Sequence, residues 1–158
     1  MTTIVRWALV VALATAPAAR AGAGECRGKL SGAVKGKFRC AVAVEPAADG
    51  KTYFVITARE PVEGVPAYAP GAFEVPGEVK AATYTLDTLG MGRASVAVEG
   101  GALYTATKTS SQRGEVTITL RSVQRNSVGG YTVHGTYRAR LAPAGGGKPG
   151  EVVVEVTF

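Results

Sequence analysis

The chain has 158 residues, of which 46% are apolar, which is enough for one domain with a real core. Eighteen lysines and arginines against 12 acids give a formal charge of +6, which falls to a mildly basic +4 without the two arginines of residues 1–21, so no nucleic-acid partner is expected. A metal site would want several His, Cys or carboxylate ligands at matched spacing, but the histidine is alone and the two cysteines have each other, so no metal or other cofactor is expected.

Residues 1–21 read as an export signal. Arg6 precedes an apolar run over residues 7–16, and Ala19-Arg20-Ala21 matches the A-x-A cleavage pattern. The run is shorter than the roughly 20 residues that span a bilayer, and no later segment comes near that length. Cleavage after Ala21 leaves residues 22–158 as a single domain and removes Arg6 and Arg20, which lowers the charge from +6 to +4. The expected location is the periplasm or the cell exterior. Glu25, directly before Cys26, argues against acylation at that cysteine.

Residues 26–40, CRGKLSGAVKGKFRC, hold both cysteines, and in an exported chain the simplest state for them is a Cys26–Cys40 disulfide. If the two face each other across an antiparallel hairpin, the register pairs Arg27 with Arg39 and Lys29 with Lys37, and the turn falls at Gly32-Ala33-Val34. Side chains alternate with period two along a strand. Cys26, Leu30, Phe38, Cys40, Val42 and Val44 then form an apolar face, and Arg27, Lys29, Lys35, Lys37 and Arg39 a cationic one. Like charges directly opposite destabilise a sheet. Three remedies compete: splaying into solvent, neutralisation by Glu60, Glu63, Glu74 and Glu78 from residues 60–78, or an external anion.

Residues 51–59 read as a strand after the Asp49-Gly50 turn signal. Residues 60–78 contain Pro61, Pro66, Pro70 and Pro76 and read as a long loop with short edge pieces, in which Tyr68 and Phe73 are either ligand contacts or packing residues. Strand patterns follow at residues 82–87 and 93–99, then, across a Gly100-Gly101 hairpin turn, at 102–108. Residues 115–123 and 131–141 alternate cleanly, and residues 151–158 close the chain with Val152, Val154, Val156 and Phe158 on one side. Eight or nine such strands without a helical period predict an all-β domain. The expected architecture is an antiparallel β-sandwich, jelly-roll or Ig-like, with a closed β-barrel as the alternative.

No catalytic constellation stands out. His134 lies on a polar strand face between Thr132 and Thr136, and no G-x-S-x-G occurs. GMGRAS (90–95) and GGGKPG (145–150) lack the context of nucleotide loops and read as turns. Asp49, Asp87 and Glu99 are the carboxylates that a small secreted hydrolase would use. Arg121, His134, Arg138 and Arg140, interleaved with Thr117, Thr119, Thr132 and Thr136, make a second polar surface if residues 115–123 and 131–141 pair. That surface is either ordinary solvated sheet, with Glu115, Glu151 and Glu155 as partners, or a platform for polyanions or sugars.

The C-x-G-x-L-S-G-x-x-x-G-x-F-x-C opening, GTYRARL at 135–141 and the closing V-x-V-x-F strand resemble small exported β-sandwich proteins of Gram-negative bacteria, many of them lipoproteins. This chain departs from the lipoprotein members at Glu25. The resemblance implies architecture and carries no site residues. The function expected is a non-enzymatic binding or structural module of the cell envelope. Its partner would be an anionic polysaccharide, lipopolysaccharide or an envelope protein, met through Arg27, Lys29, Lys35, Lys37, Arg39, Tyr68, Phe73, Arg138 and Arg140.

Overall fold

The structure is a computed structural model that describes residues 24–111, 113–144 and 149–158. The export signal at 1–21 and most of the glycine-rich 145–150 segment lie outside these residues. Among the described residues ten strands follow one another: β1 (Gly24–Gly32), β2 (Gly36–Pro46), β3 (Thr52–Ala58), β4 (Ala67–Val75), β5 (Thr83–Thr85), β6 (Gly92–Ala97), β7 (Leu103–Thr107), β8 (Glu115–Arg125), β9 (Tyr131–Pro143) and β10 (Val152–Thr157). All pairings are antiparallel.

The first-choice architecture, two packed sheets, gives way to its alternative. Strands β10, β1, β2, β3, β4, β6, β7 and β9 neighbour one another in that order, and β9 pairs back onto β10, closing an eight-stranded barrel. The long β9 makes closure possible because its edges serve several partners. Residues 136–141 pair with β10, Ala142 and Pro143 meet β7, and residues 131–140 pair with β8. Strand β5 then adds to the outer edge of β8. A closed sheet removes the unpaired edges that a sandwich leaves exposed.

Period-two alternation sends Phe38, Val42, Val44, Phe54, Ile56, Phe73, Val96, Tyr104, Tyr137, Leu141, Val152, Val154 and Val156 inward, each at most 3% exposed. The Phe54 ring lies 6.0 Å from Tyr137 and 5.6 Å from Phe158, so aromatic rings fill this part of the barrel. Gly28 is needed because the Phe38 ring covers it: a Cβ there would come within 2.2 Å of that ring. Gly100 and Gly101 both adopt positive φ, 90° and 88°, as the tight turn between β6 and β7 requires.

The proline-rich stretch differs from its expectation. Residues 67–75 form a full strand, β4, paired with both β3 and β6. Pro61 and Pro66 precede the strand and Pro76 follows it. Pro70 sits in the irregularity between Ala69 and Ala72, where a missing N–H costs no ladder bond. Its carbonyl accepts a 2.6 Å hydrogen bond from the Tyr137 hydroxyl inside the barrel.

The burial of that hydroxyl sets an alkaline limit on stability. Burial pushes the Tyr137 phenol well above its ordinary value of 10.0. The native state therefore keeps the proton while the unfolded chain loses it above about pH 10, so the unfolded state binds fewer protons and stability falls as pH rises. The contribution is complete below about pH 10 and declines by about 1.4 kcal/mol per pH unit above it. Tyr137→Phe is expected to cost roughly 1–3 kcal/mol at neutral pH, because the Pro70 carbonyl loses its partner, and to flatten the alkaline decline. Urea titrations of both proteins across this range test the pair of effects; parallel alkaline slopes would contradict the assignment.

Candidate functional site

The β1–β2 hairpin positions the first residues of the site. Cys26 and Cys40 are joined, with their Cα atoms 4.8 Å apart, inside the β1–β2 pair. Arg27 stands opposite Arg39, and Lys29 opposite Lys37. All four side chains point out of the barrel and are exposed. Register carries these positions across the neighbouring strands. One row runs Arg39, Arg27, Thr157, Thr136, Thr119, Thr83, and the next runs Lys37, Lys29, Glu155, Arg138, Thr117, Thr85. Arg59, beyond the end of β3, extends the first row, since its backbone N–H donates to the Arg39 carbonyl at 2.8 Å.

Carboxylates stitch part of this surface together. The Lys29 ammonium lies 2.8 Å from Glu155, which also meets Arg138 at 3.5 Å. The hydrogen bond from Lys29 holds the Glu155 carboxyl below the usual carboxylate range. Glu25 lies 3.6 Å from Arg39 and 3.7 Å from Arg59, and Glu60 lies 3.8 Å from the Arg39 guanidinium while accepting from its backbone N–H. Neutralisation from residues 60–78 is thus confined to Glu60 among the described contacts. Glu74 binds Lys51 at 3.0 Å instead, and Glu25 and Glu155 supply the other charges. Such exposed pairs are each worth about 1 kcal/mol or less.

Arg140 is committed elsewhere. Its guanidinium sits 2.8 Å from Glu151 and 3.3 Å from Glu115, and Glu151 first, then Glu115, raise its pKa. These partners and Glu155 are the ones that ordinary solvated sheet calls for. Tyr68 and Phe73 do not join the basic rows. Phe73 is fully buried in the core. Tyr68 is half-buried, packs edge-on against Phe38 at 5.4 Å and donates its hydroxyl to the Glu60 carbonyl. Both are packing residues because residues 67–75 form a strand in the barrel wall.

Among the described residues, Arg27, Lys35 and Lys37 make no ion pair. Lys35 is exposed between β1 and β2, beside Lys37. Arg27 and Lys37 stand diagonally across the β1–β2 pair, opposite Arg39 and Lys29, and Lys35 follows at the turn end, whereas Lys29, Arg39, Arg59 and Arg138 share carboxylates. The β8–β9 pairing around Asn126 and Gly130 brings Thr117, Thr119, Thr136 and Arg138 together as the alternation predicts. Sequence reasoning missed Arg59, whose place depends on the β2–β3 register, and Thr157, which alternation in the last strand had already put on the polar side. His134 is exposed on the same wall, opposite Ser122.

The three carboxylates considered for hydrolysis stand in separate connections. Asp49, in the turn between β2 and β3, accepts from the Lys51 N–H and the Tyr53 hydroxyl. Asp87, after β5, lies 2.6 Å from Arg113, which holds its carboxyl below the ordinary range. Glu99 lies in the turn between β6 and β7. The chain matches no protein-family profile, no curated protein and no solved structure.

Proposed function

We propose that this chain is an exported, non-enzymatic binding module of the cell envelope that takes an anionic ligand on the outer wall of its barrel. The observation that carries this reading is the exposed set Arg27, Lys35 and Lys37 on the β1–β2 hairpin, which has no carboxylate partner among the described residues. Keeping directly opposed cations on neighbouring strands costs stability, and a ligand that gathers them returns that cost on binding. Two further features support the choice. Aromatic and aliphatic side chains pack the barrel interior, which directs a ligand to the wall. Asp87 is held ionised by Arg113, whereas a general acid for glycoside hydrolysis needs a raised pKa.

Reversing Arg27, Lys35 and Lys37 to glutamate together tests the reading on a column of immobilised sulfated polysaccharide. The variant is expected to bind about tenfold or more weakly at low ionic strength and to lose most of its salt dependence. Retention equal to that of the parent protein would reject the basic wall as the binding surface.

A further inference from the structure

The two rows do more than collect charge. Past Arg27 the first row continues as Thr157, Thr136, Thr119 and Thr83, and past Arg138 the second continues as Thr117 and Thr85. Six threonines thus share one outward face of four adjacent strands, β10, β9, β8 and β5. Thr83 and Thr119 are close enough for their hydroxyls to bond, at 3.4 Å. Each hydroxyl both donates and accepts. The neighbouring cations only donate.

We infer that the ligand of this wall is a linear anionic polysaccharide lying across the strands, with its acidic groups on Arg27 and Lys37 and its hydroxyls on the threonines. This rests on the anionic-ligand reading above and narrows it. From β2 to β5 the rows cross five interstrand steps of about 4.8 Å, a track of roughly 24 Å, long enough for a short oligosaccharide. A polymer that offers only phosphate oxygens would use the cations and take the threonines as donors alone, leaving their acceptor lone pairs unused. A single-stranded nucleic acid would want aromatic rings on which to stack its bases, and neither row contains one. A ligand dense in both acid and hydroxyl groups uses the whole surface.

The test compares three probes of similar charge, a polyuronate fragment, inorganic polyphosphate and a single-stranded DNA oligomer, on the full mature protein by isothermal titration. Replacing Thr119, Thr136 and Thr157 together by valine removes hydroxyls while keeping strand-forming, β-branched side chains. Polyuronate binding is expected to fall about tenfold, and polyphosphate binding to change less than about twofold. The matching serine variant, which keeps the hydroxyls, is expected to retain polyuronate affinity, and retained polyphosphate binding by the valine variant shows that its loss is not a folding defect. Unchanged polyuronate binding by the valine variant, or a parent protein that prefers polyphosphate or DNA, would overturn the polysaccharide assignment while leaving an anion-binding wall intact. If charge reversal at Arg27, Lys35 and Lys37 leaves every probe unaffected, or no probe binds the parent, both readings fall.

Discussion

Phe54→Ala is expected to destabilise the protein by about 3–5 kcal/mol, the largest effect anticipated from a single substitution here. Phe54 is completely buried, in register with Val44 on one side and Phe73 on the other. Its ring also contacts Tyr137 and Phe158, which come from the opposite part of the closed sheet. Alanine would leave a void that a closed barrel cannot collapse, because hydrogen-bonded neighbours hold each strand on both sides. The lost transfer free energy and the cavity therefore add. A typical domain has only about 5–15 kcal/mol of stability in total, so the variant should melt roughly 10–20 °C lower or fold incompletely. Thr57→Ala, at an exposed position on the opposite face of the same strand, is expected to change stability by no more than about 0.5 kcal/mol. Equal melting temperatures for the two variants would show that Phe54 does not hold the barrel walls together.

Reducing the Cys26–Cys40 bond is expected to cost about 3 kcal/mol, the chain-entropy value for a closed loop of this size. The effect should depend on salt. Arg27 and Arg39, and Lys29 and Lys37, face each other directly, and the disulfide holds together strands that these charges push apart. Screening reaches about 30 Å at 0.01 M ionic strength and about 10 Å at 0.1 M, so the reduced protein should regain stability with added salt more steeply than the oxidised one. Denaturant titrations with and without reductant, at both ionic strengths, measure this. A reduced form as stable as the oxidised form at low salt would show that carboxylates such as Glu25 and Glu155 already cancel the repulsion.

Much of the candidate site was legible because alternation is a local property. The register of β1 with β2 follows from two cysteines that have to meet, and with it the outward set Arg27, Lys29, Lys37 and Arg39. The outward Thr117 and Thr119 of β8 and Thr136 and Arg138 of β9 follow from alternation on either side of a short turn, whereas the irregularity between Leu120 and Ser122, where Arg121 falls, does not. Strand β4 was harder to read, because four prolines hide an inward pattern of Phe73 and Val75 and only the pairing shows that Pro70 falls where the ladder is interrupted. For the same reason, only the pairing separates packing from ligand contact at Tyr68 and Phe73. The carboxylates that answer the basic face were half legible. Glu115, Glu151 and Glu155 were expected beside the arginines of β9, but Glu25 reaching Arg39 and Arg59, and Glu74 turning to Lys51, depend on how the sheet curves.

The sequence by itself determined which side of nearly every strand is apolar, where most strands begin and end, and which two sulfurs join, because each of these depends on residues close together along the chain. Sandwich or barrel was a different kind of question, since both bury one face of every strand and both produce the same alternation. Only the tertiary structure decided it, through β9 meeting β10 and β8 along its length and β7 near its end. That choice also laid the arginines of the hairpin beside the threonines of β8, β9 and β10. Backbone hydrogen bonds between segments far apart in sequence set these neighbours, and no local pattern of side chains encodes them.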